Sequence, residues 1–158
     1  MKNTFTVGKV RITLDEAAVD ICGSEIPTAQ ARVQPNEYRL ILGHAYTKDP
    51  ILHFLGGSEA SYLFIRVENG LAAIEADTKI ADQIENCGWI ELEAGVCYKK
   101  VEANPGSTAV DYRIFDSFRL LDDADVASYG NTQISVFAYA IQAEGFDTPE
   151  SAWLEAGK

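Results

Sequence analysis

The sequence has few of the residues from which catalytic and metal sites are most often built. Only 2 histidines occur among 158 residues, and the chain contains no HExxH motif, no glycine-rich phosphate loop and no GxSxG elbow. Paired carboxylates need a pocket to act as acid and base, and the spacing of residues in strands does not reveal one. We therefore predict that the protein is not an enzyme and needs no cofactor.

Long hydrophobic runs and clustered positive charge are also missing. No stretch of 18 or more apolar residues is present, which argues against a transmembrane helix. The net charge of -11 argues against nucleic acid and against an anionic membrane surface as partners. The apolar fraction of 47% and the charged fraction of 23% are typical of a globular protein. The length predicts a single domain over residues 1–158.

Cysteine is scarce, and its spacing fits no metal-binding motif. Cys22, Cys87 and Cys97 form no CxxC pair and no zinc ribbon. Buried free thiols are one interpretation, because cysteine packs as a small hydrophobe. A Cys87–Cys97 disulfide is the alternative if the chain is exported. The chain begins MKNTF, without the basic and apolar regions of a signal peptide, which predicts either a cytosolic protein or a mature chain whose export signal has been removed.

Two short segments raise the question of a metal ion. His44 and His53 flank the turn TKDP. If Lys48 and Asp49 formed the tip of a hairpin, the two histidines would lie opposite each other, where a transition metal can bridge two imidazoles. A catalytic zinc usually has three protein ligands, so ordinary surface or cross-strand histidines are the alternative. Asp122, Asp123 and Asp125 suggest calcium, but the EF-hand ligand order and its glycine are missing. A solvated acidic loop is therefore favoured, and the metal content stays open.

Short apolar strands separated by turn residues make up most of the sequence. The segment SYLFIRV, Ser61 to Val67, is apolar on both faces, which predicts a central strand covered on both sides. Trp89–Leu92 and Val96–Val101 predict a hairpin that turns at Glu93-Ala94-Gly95. Further strands are predicted at Asn36–Leu42, Ile51–Leu55, Tyr112–Leu121 and Thr132–Ala143.

Two segments have the period of a helix instead. Ile80, Ile84 and Cys87 are spaced as i, i+4 and i+7, and Gly88 suits the position after a helix end. The segment DTPE at 147–150 has capping-box spacing and a proline suited to a first turn, which predicts a C-terminal helix. About eight antiparallel strands with short turns and two short helices favour an all-β fold, a jelly-roll β-sandwich, over an α/β fold.

The stretch TFTVGKVRITL, Thr4 to Leu14, is predicted to form a bent strand near the N-terminus. Its apolar side chains fall at odd positions before Gly8 and at even positions after it, so a straight strand would turn one half over. Glycine best tolerates the irregular backbone of a bulge, which would keep one apolar face pointing inward. The stretch is either an ordinary first strand or a terminal strand that leaves its own domain and completes a neighbour's.

Five segments carry a further signal when they are taken in order. They are TFTVGKVRITLDE, LILGHAYTKDPILHF, SEASYLFIRVEN, GWIELEAGVCYKK and ISVFAYAIQAEGFDTPESAW, and together they extend from Thr4 to Trp153. This series resembles the TasA/camelysin family, biofilm-matrix proteins that Gram-positive bacteria export with SipW-type signal peptides. The sequence departs from the family pattern at Gly43-His44, where relatives often carry a proline before the glycine, and at Cys97, where relatives tend to place tyrosine.

The resemblance implies a jelly-roll protein that is secreted to the extracellular matrix or cell surface and joins into fibres. In TasA-like fibres the N-terminal strand of one subunit completes the sheet of the next. The segment that matches this donor consists of Thr4, Phe5, Thr6, Val7, Gly8, Lys9, Val10, Arg11, Ile12, Thr13 and Leu14. The implied partners are further copies of the chain, joined head to tail into a homopolymer, and an anchor protein at the cell surface.

Two other functions are weighed against the fibre subunit. The first is a monomeric cell-surface binding module for carbohydrate or protein, with Trp89, Tyr98 or Tyr112 as its platform. The second is a metallopeptidase, the activity assigned to some relatives, against which the missing metal motif argues. Neither alternative needs the first strand to leave its own domain.

Overall fold

The structure is a computed structural model that describes residues 10–17, 19, 24, 42–123, 125–129 and 132–156. Within these residues the chain is mostly β, with strands in antiparallel sheets and two short α-helices, as the sequence predicts. The strands are β1 (Ile12–Asp15), β2 (Ala45–Thr47), β3 (Ile51–Phe54), β4 (Ser61–Asn69), β5 (Ile90–Glu93), β6 (Val96–Val101), β7 (Val110–Arg113), β8 (Ser117–Arg119) and β9 (Ile134–Gln142). The helices are α1 (Ile80–Asn86) and α2 (Pro149–Ala156).

The described strands form three antiparallel sheets. Their strand orders are β5-β6-β4-β9, β1-β3-β7 and β2-β8. The main core draws buried side chains from all three, including Leu63 of β4, Leu52 of β3 and Phe118 of β8. The three sheets therefore pack against one another through a common core, which fixes the position of the β1-β3-β7 sheet. No described helix has the length and hydropathy needed to cross a membrane.

Strand β4 is central, as its pattern of two apolar faces predicts. It pairs with β6 on one side and with β9 on the other. Leu63 and Ile65 point into the main core, while Tyr62 and Phe64 point into a second cluster against α2. The ring centroids of Phe64 and Trp153 lie 5.1 Å apart in that cluster. The central strand is therefore covered on both faces.

Both predicted helices and the predicted hairpin are confirmed. Helix α1 buries Ile80 and Ile84 and is followed by Gly88 at a positive φ of 87°, a conformation that favours glycine. The N-cap of α2 is Thr148, whose hydroxyl oxygen accepts a hydrogen bond from the amide N–H of Ser151 at 3.2 Å. The cap therefore lies one residue after the aspartate of the DTPE segment.

The single strand predicted over Tyr112–Leu121 is wrong. Its residues form β7 and β8, which belong to different sheets. Between them Ile114 and Phe115 are both fully buried and belong to neither strand. The side-chain oxygen of Gln83 accepts hydrogen bonds from the amide N–H of Asp116 at 3.0 Å and of the following residue at 3.2 Å. Helix α1 thus holds the crossing between two sheets.

The turn TKDP does not join the two strands of a hairpin. Strand β2 pairs with β8 and β3 pairs with β1 and β7, so the two strands beside this turn lie in different sheets. The ring of His44 packs against that of Tyr46 with centroids 4.6 Å apart, whereas His53 contacts carboxylates of β1 and β7. The two histidines therefore do not lie opposite each other, as a metal bridge between them would require, and His53 is a cross-strand histidine. The strand predicted over Asn36–Leu42 lies outside the described residues except for Leu42, which is in a turn.

Candidate functional site

The described part of the candidate donor segment lies at an edge of the β1-β3-β7 sheet. Strand β1 pairs antiparallel with β3, with Ile12 opposite Phe54 and Leu14 opposite Leu52. Among the described strands, β1 pairs with β3 alone. Residues 4–9, with the predicted bulge, lie outside the described residues.

The inner face of this segment is apolar. Val10, Ile12 and Leu14 are half-buried and pack against the main core. The side chains opposite them on β3, Leu52 and Phe54, have no exposed surface at all. Removing β1 would therefore uncover both of these side chains and a row of backbone hydrogen-bonding groups.

The outer face of the sheet carries a polar contact that joins three strands. His53 of β3 lies between Asp15 of β1 and Asp111 of β7, with Nε2 2.8 Å from Asp15 Oδ1 and Nδ1 2.5 Å from Asp111 Oδ1. Burial lowers the pKa of His53, but the hydrogen bonds and negative charges of the two carboxylates outweigh burial, so the pKa is raised above 6.5. The protonated ring donates from both nitrogens and fastens β1 to the sheet.

Stability is therefore expected to depend on pH through His53. Because the pKa is raised in the folded state, the contribution is complete below about pH 6.5, the ordinary histidine value, and is lost as the pH rises through the folded value. We expect the free energy of unfolding to fall as the pH rises above about 6.5, with a slope of at most about 1.4 kcal/mol per pH unit for one proton. Urea unfolding at several pH values measures this slope.

The matched control for this slope is the other histidine. His53→Gln is expected to remove the fall in stability over this range, while His44→Gln is expected to retain it, since His44 contacts neither carboxylate partner in the described structure. An unchanged slope in His53→Gln would contradict the role assigned to this contact.

A buried ion pair lies just beyond β1. Lys48 Nζ donates to both carboxylate oxygens of Glu16, at 3.1 and 3.0 Å, and the two side chains are only 9% and 6% exposed. The amide N–H of Ala17 also donates to Asp49 Oδ1 at 2.7 Å. The segment after β1 is thus tied to the turn after β2. These partners are 32 residues apart in the sequence, and no local pattern pointed to them.

A groove of about 710 Å³ opens between β6 and β7. Its lining residues are Tyr62, Gly88, Ile90, Tyr98, Lys99, Lys100, Val101, Glu102, Ala103, Asn104, Val110, Tyr112 and Pro149. Of the three predicted platform residues, Tyr98 and Tyr112 line this groove. Trp89 does not, because it is only 2% exposed and its indole N–H donates to the carbonyl oxygen of Arg113 at 2.9 Å. The placement of Trp89 as a platform is therefore wrong.

Two lysines that sequence reasoning did not single out lie in the same groove. Lys99 Nζ donates to the carbonyl oxygen of Cys87 at 2.7 Å and lies 5.3 Å from the ring centroid of Trp89 and 5.5 Å from that of Tyr112. Lys100 Nζ lies 5.5 Å from the ring centroid of Tyr62. Burial lowers the pKa of Lys99. Each ammonium group thus packs on aromatic faces.

The acidic loop shows no arrangement for a metal ion. Asp122, Asp123 and Asp125 are exposed, and the Asp125 carboxylate accepts a hydrogen bond from the Ser128 hydroxyl at 2.7 Å. Within the part of the chain that the structure describes, no group of three or more His, Cys, Asp or Glu side chains is placed to hold a metal ion. The exposure of the three carboxylates is that of a solvated loop.

Cys87 and Cys97 are half-buried free thiols in the structure. Burial raises the pKa of Cys97, and the negative charge of Glu91 raises it further by a smaller amount, so the thiol stays protonated. Cys22 lies outside the described residues. The two described cysteines therefore pack as small apolar side chains.

Comparisons with protein-family models, with curated proteins and with solved structures find no match.

Proposed function

We propose that the protein is a structural subunit of an extracellular fibre, in which β1 of one copy takes the place of β1 in the next. The observation that carries this proposal is the edge position of β1, which one described strand holds and whose inner face is apolar. An identical strand from a neighbour restores the same hydrogen bonds and the same contacts with Leu52 and Phe54. Exchange therefore needs no new surface.

The five segments that resemble the TasA/camelysin family support the same proposal. On this basis the three antiparallel sheets are parts of a jelly-roll, and the chain is exported to the cell surface or matrix. Each copy donates one strand and accepts one, so the contact is heterologous and extends into a head-to-tail homopolymer. A cell-surface anchor protein is the further partner that the family implies.

A disulfide that locks β1 onto its own β3 tests this proposal. Asp15 and Ile51 are opposite each other in the register, so Asp15→Cys with Ile51→Cys can be oxidised within one chain. The background carries alanine at Cys22, Cys87 and Cys97. We expect the oxidised protein to form no filaments by electron microscopy, and the reduced protein to form them.

The control disulfide joins β3 to β7 instead and leaves β1 free. Ile51 is also opposite Arg113 of β7. The pair Ile51→Cys with Arg113→Cys therefore forms a disulfide between β3 and β7 at the same residue of β3. Filaments are expected in both redox states of this control. Filaments from the oxidised β1–β3 protein, or none from seeded wild-type protein, would refute strand exchange, and a closed dimer would refute the head-to-tail arrangement.

A further inference from the structure

His53 is held from both sides by strands of its own sheet. Its ring lies on the outer face of β3, with a carboxylate of the edge strand β1 on one side and a carboxylate of β7 on the other. Asp15 contacts Nε2 at 2.8 Å and Asp111 contacts Nδ1 at 2.5 Å, so both ring nitrogens are engaged. The His53 side chain is 16% exposed and that of Asp111 is 57% exposed, so protons from the solvent reach this contact.

The ring donates to both carboxylates only when it is protonated. A neutral imidazole has one N–H, and its other nitrogen directs a lone pair at a carboxylate oxygen. Loss of the proton therefore replaces one of the two hydrogen bonds with a repulsion. The hydrogen bond that remains is weaker, because it no longer joins opposite charges. Deprotonation of His53 thus loosens the link between β1 and the two strands beside it in the sheet.

The other charged groups that the described strands place on this face do not change charge near neutral pH. Alternation of side chains puts Arg11, before β1, and Arg113 of β7 on the same face as His53. Arginine stays protonated at any pH at which proteins fold. Aspartate ordinarily titrates at least about two pH units below histidine, so the partners Asp15 and Asp111 leave His53 as the group that titrates here.

We propose that His53, between Asp15 and Asp111, is a proton-operated latch that controls how readily β1 leaves its sheet. With the ring protonated, release of β1 has to break a contact between opposite charges. With the ring neutral, that contact is already weakened. Because the two carboxylates raise the pKa of His53, release is slowest and independent of pH below about pH 6.5. Release then becomes faster, by at most about tenfold per pH unit, until the pH passes the folded value.

The consequence for fibres rests on the proposed function. In a fibre, the β1 of a neighbour brings an identical Asp15 to the same His53, so the latch holds the donated strand as it holds the chain's own. The proton therefore favours neither the monomer nor the polymer and acts on the rate at which one converts into the other. Assembly and disassembly are both expected to be slow in acid and faster above the folded value.

Hydrogen exchange of the monomer tests the latch without filaments. The protection factors of the β1 amides, corrected for intrinsic exchange at each pH, are measured from about pH 5.5 to about pH 8.5. We expect wild-type protection to be constant at the acidic end and then to fall by up to about tenfold per pH unit. His44→Gln is the matched control and is expected to behave as wild type, whereas His53→Gln is expected to give low protection that does not depend on pH.

Two results of this measurement would overturn the latch. The first is wild-type protection that does not fall as the pH rises, a result that does not depend on any variant being folded. The second is a fall of the same size in His53→Gln, which would assign the pH dependence to another group.

Seeded assembly separates the latch from the proposed function. Light scattering is expected to show faster growth at about pH 8 than at about pH 6 in the wild type and equal rates in His53→Gln, with the same final yield at both pH values. A final yield that changes with pH while the rate does not would contradict the kinetic role. Absence of filaments at either pH would refute the fibre subunit, and the exchange measurement on the monomer then decides the latch alone.

Discussion

A chain without residues 1–14 is expected to form no filaments and to lose about 3–5 kcal/mol of stability, because three half-buried apolar side chains no longer cover β3. A peptide of residues 1–14 added in trans is expected to restore stability. Since the peptide binds the folded chain, the melting temperature should rise with peptide concentration. Thermal unfolding at a series of peptide concentrations measures this effect.

Two altered peptides show which face of the strand matters. A peptide with Ile12→Asp and Leu14→Asp carries charge on the inner face and is expected to have no effect on the melting temperature. A peptide with Arg11→Ser and Thr13→Ser changes only exposed positions and is expected to restore stability as the natural peptide does. Equal rescue by both peptides, or full stability of the truncated chain, would contradict the packing of β1.

Lys48→Met is expected to destabilise the protein by about 3–5 kcal/mol, because it removes the ammonium group that donates to both oxygens of the buried Glu16 carboxylate. The Lys48–Glu16 ion pair and the hydrogen bond from Ala17 to Asp49 together join the end of β1 to the turn after β2. Denaturant unfolding gives the free-energy difference. Lys100→Met, at an exposed position, is the matched control and is expected to change stability by less than about 0.5 kcal/mol.

The double variant Lys48→Met with Glu16→Leu separates the charge from the packing. Replacing a buried ion pair by apolar side chains of similar volume is often close to neutral, so the double variant should recover most of the stability that Lys48→Met loses. A double variant as unstable as the sum of the two single variants would show that the ion pair is not the cause.

The elements that the sequence predicts well are those that local patterns determine. The two apolar faces of β4 place it at the centre of a sheet, and Gly88 and Gly95 end α1 and turn the hairpin with positive φ angles. In the described part of the donor segment, the apolar even positions Val10, Ile12 and Leu14 face the core. These features need only the period of the side chains and the residues that interrupt it.

The features that the sequence does not predict depend on distant partners. The break between β7 and β8 has no glycine or proline and is held by the side chain of Gln83, 33 residues away from Asp116. His53 is 38 residues from one carboxylate partner and 58 from the other. The residues next to His53 in the sequence therefore do not reveal this contact. Trp89 is one of three aromatic residues that the sequence offers as a platform, yet packing against the core buries its side chain.

The direction of β1 also determines how a fibre joined through it would respond to mechanical load. If subunits exchange β1 as proposed, tension applied along this strand is perpendicular to its hydrogen bonds with β3. Pulling therefore loads all the bonds of this four-residue ladder at the same time instead of opening them one after another. Shear of this kind is the geometry in which a short joint resists the greatest force.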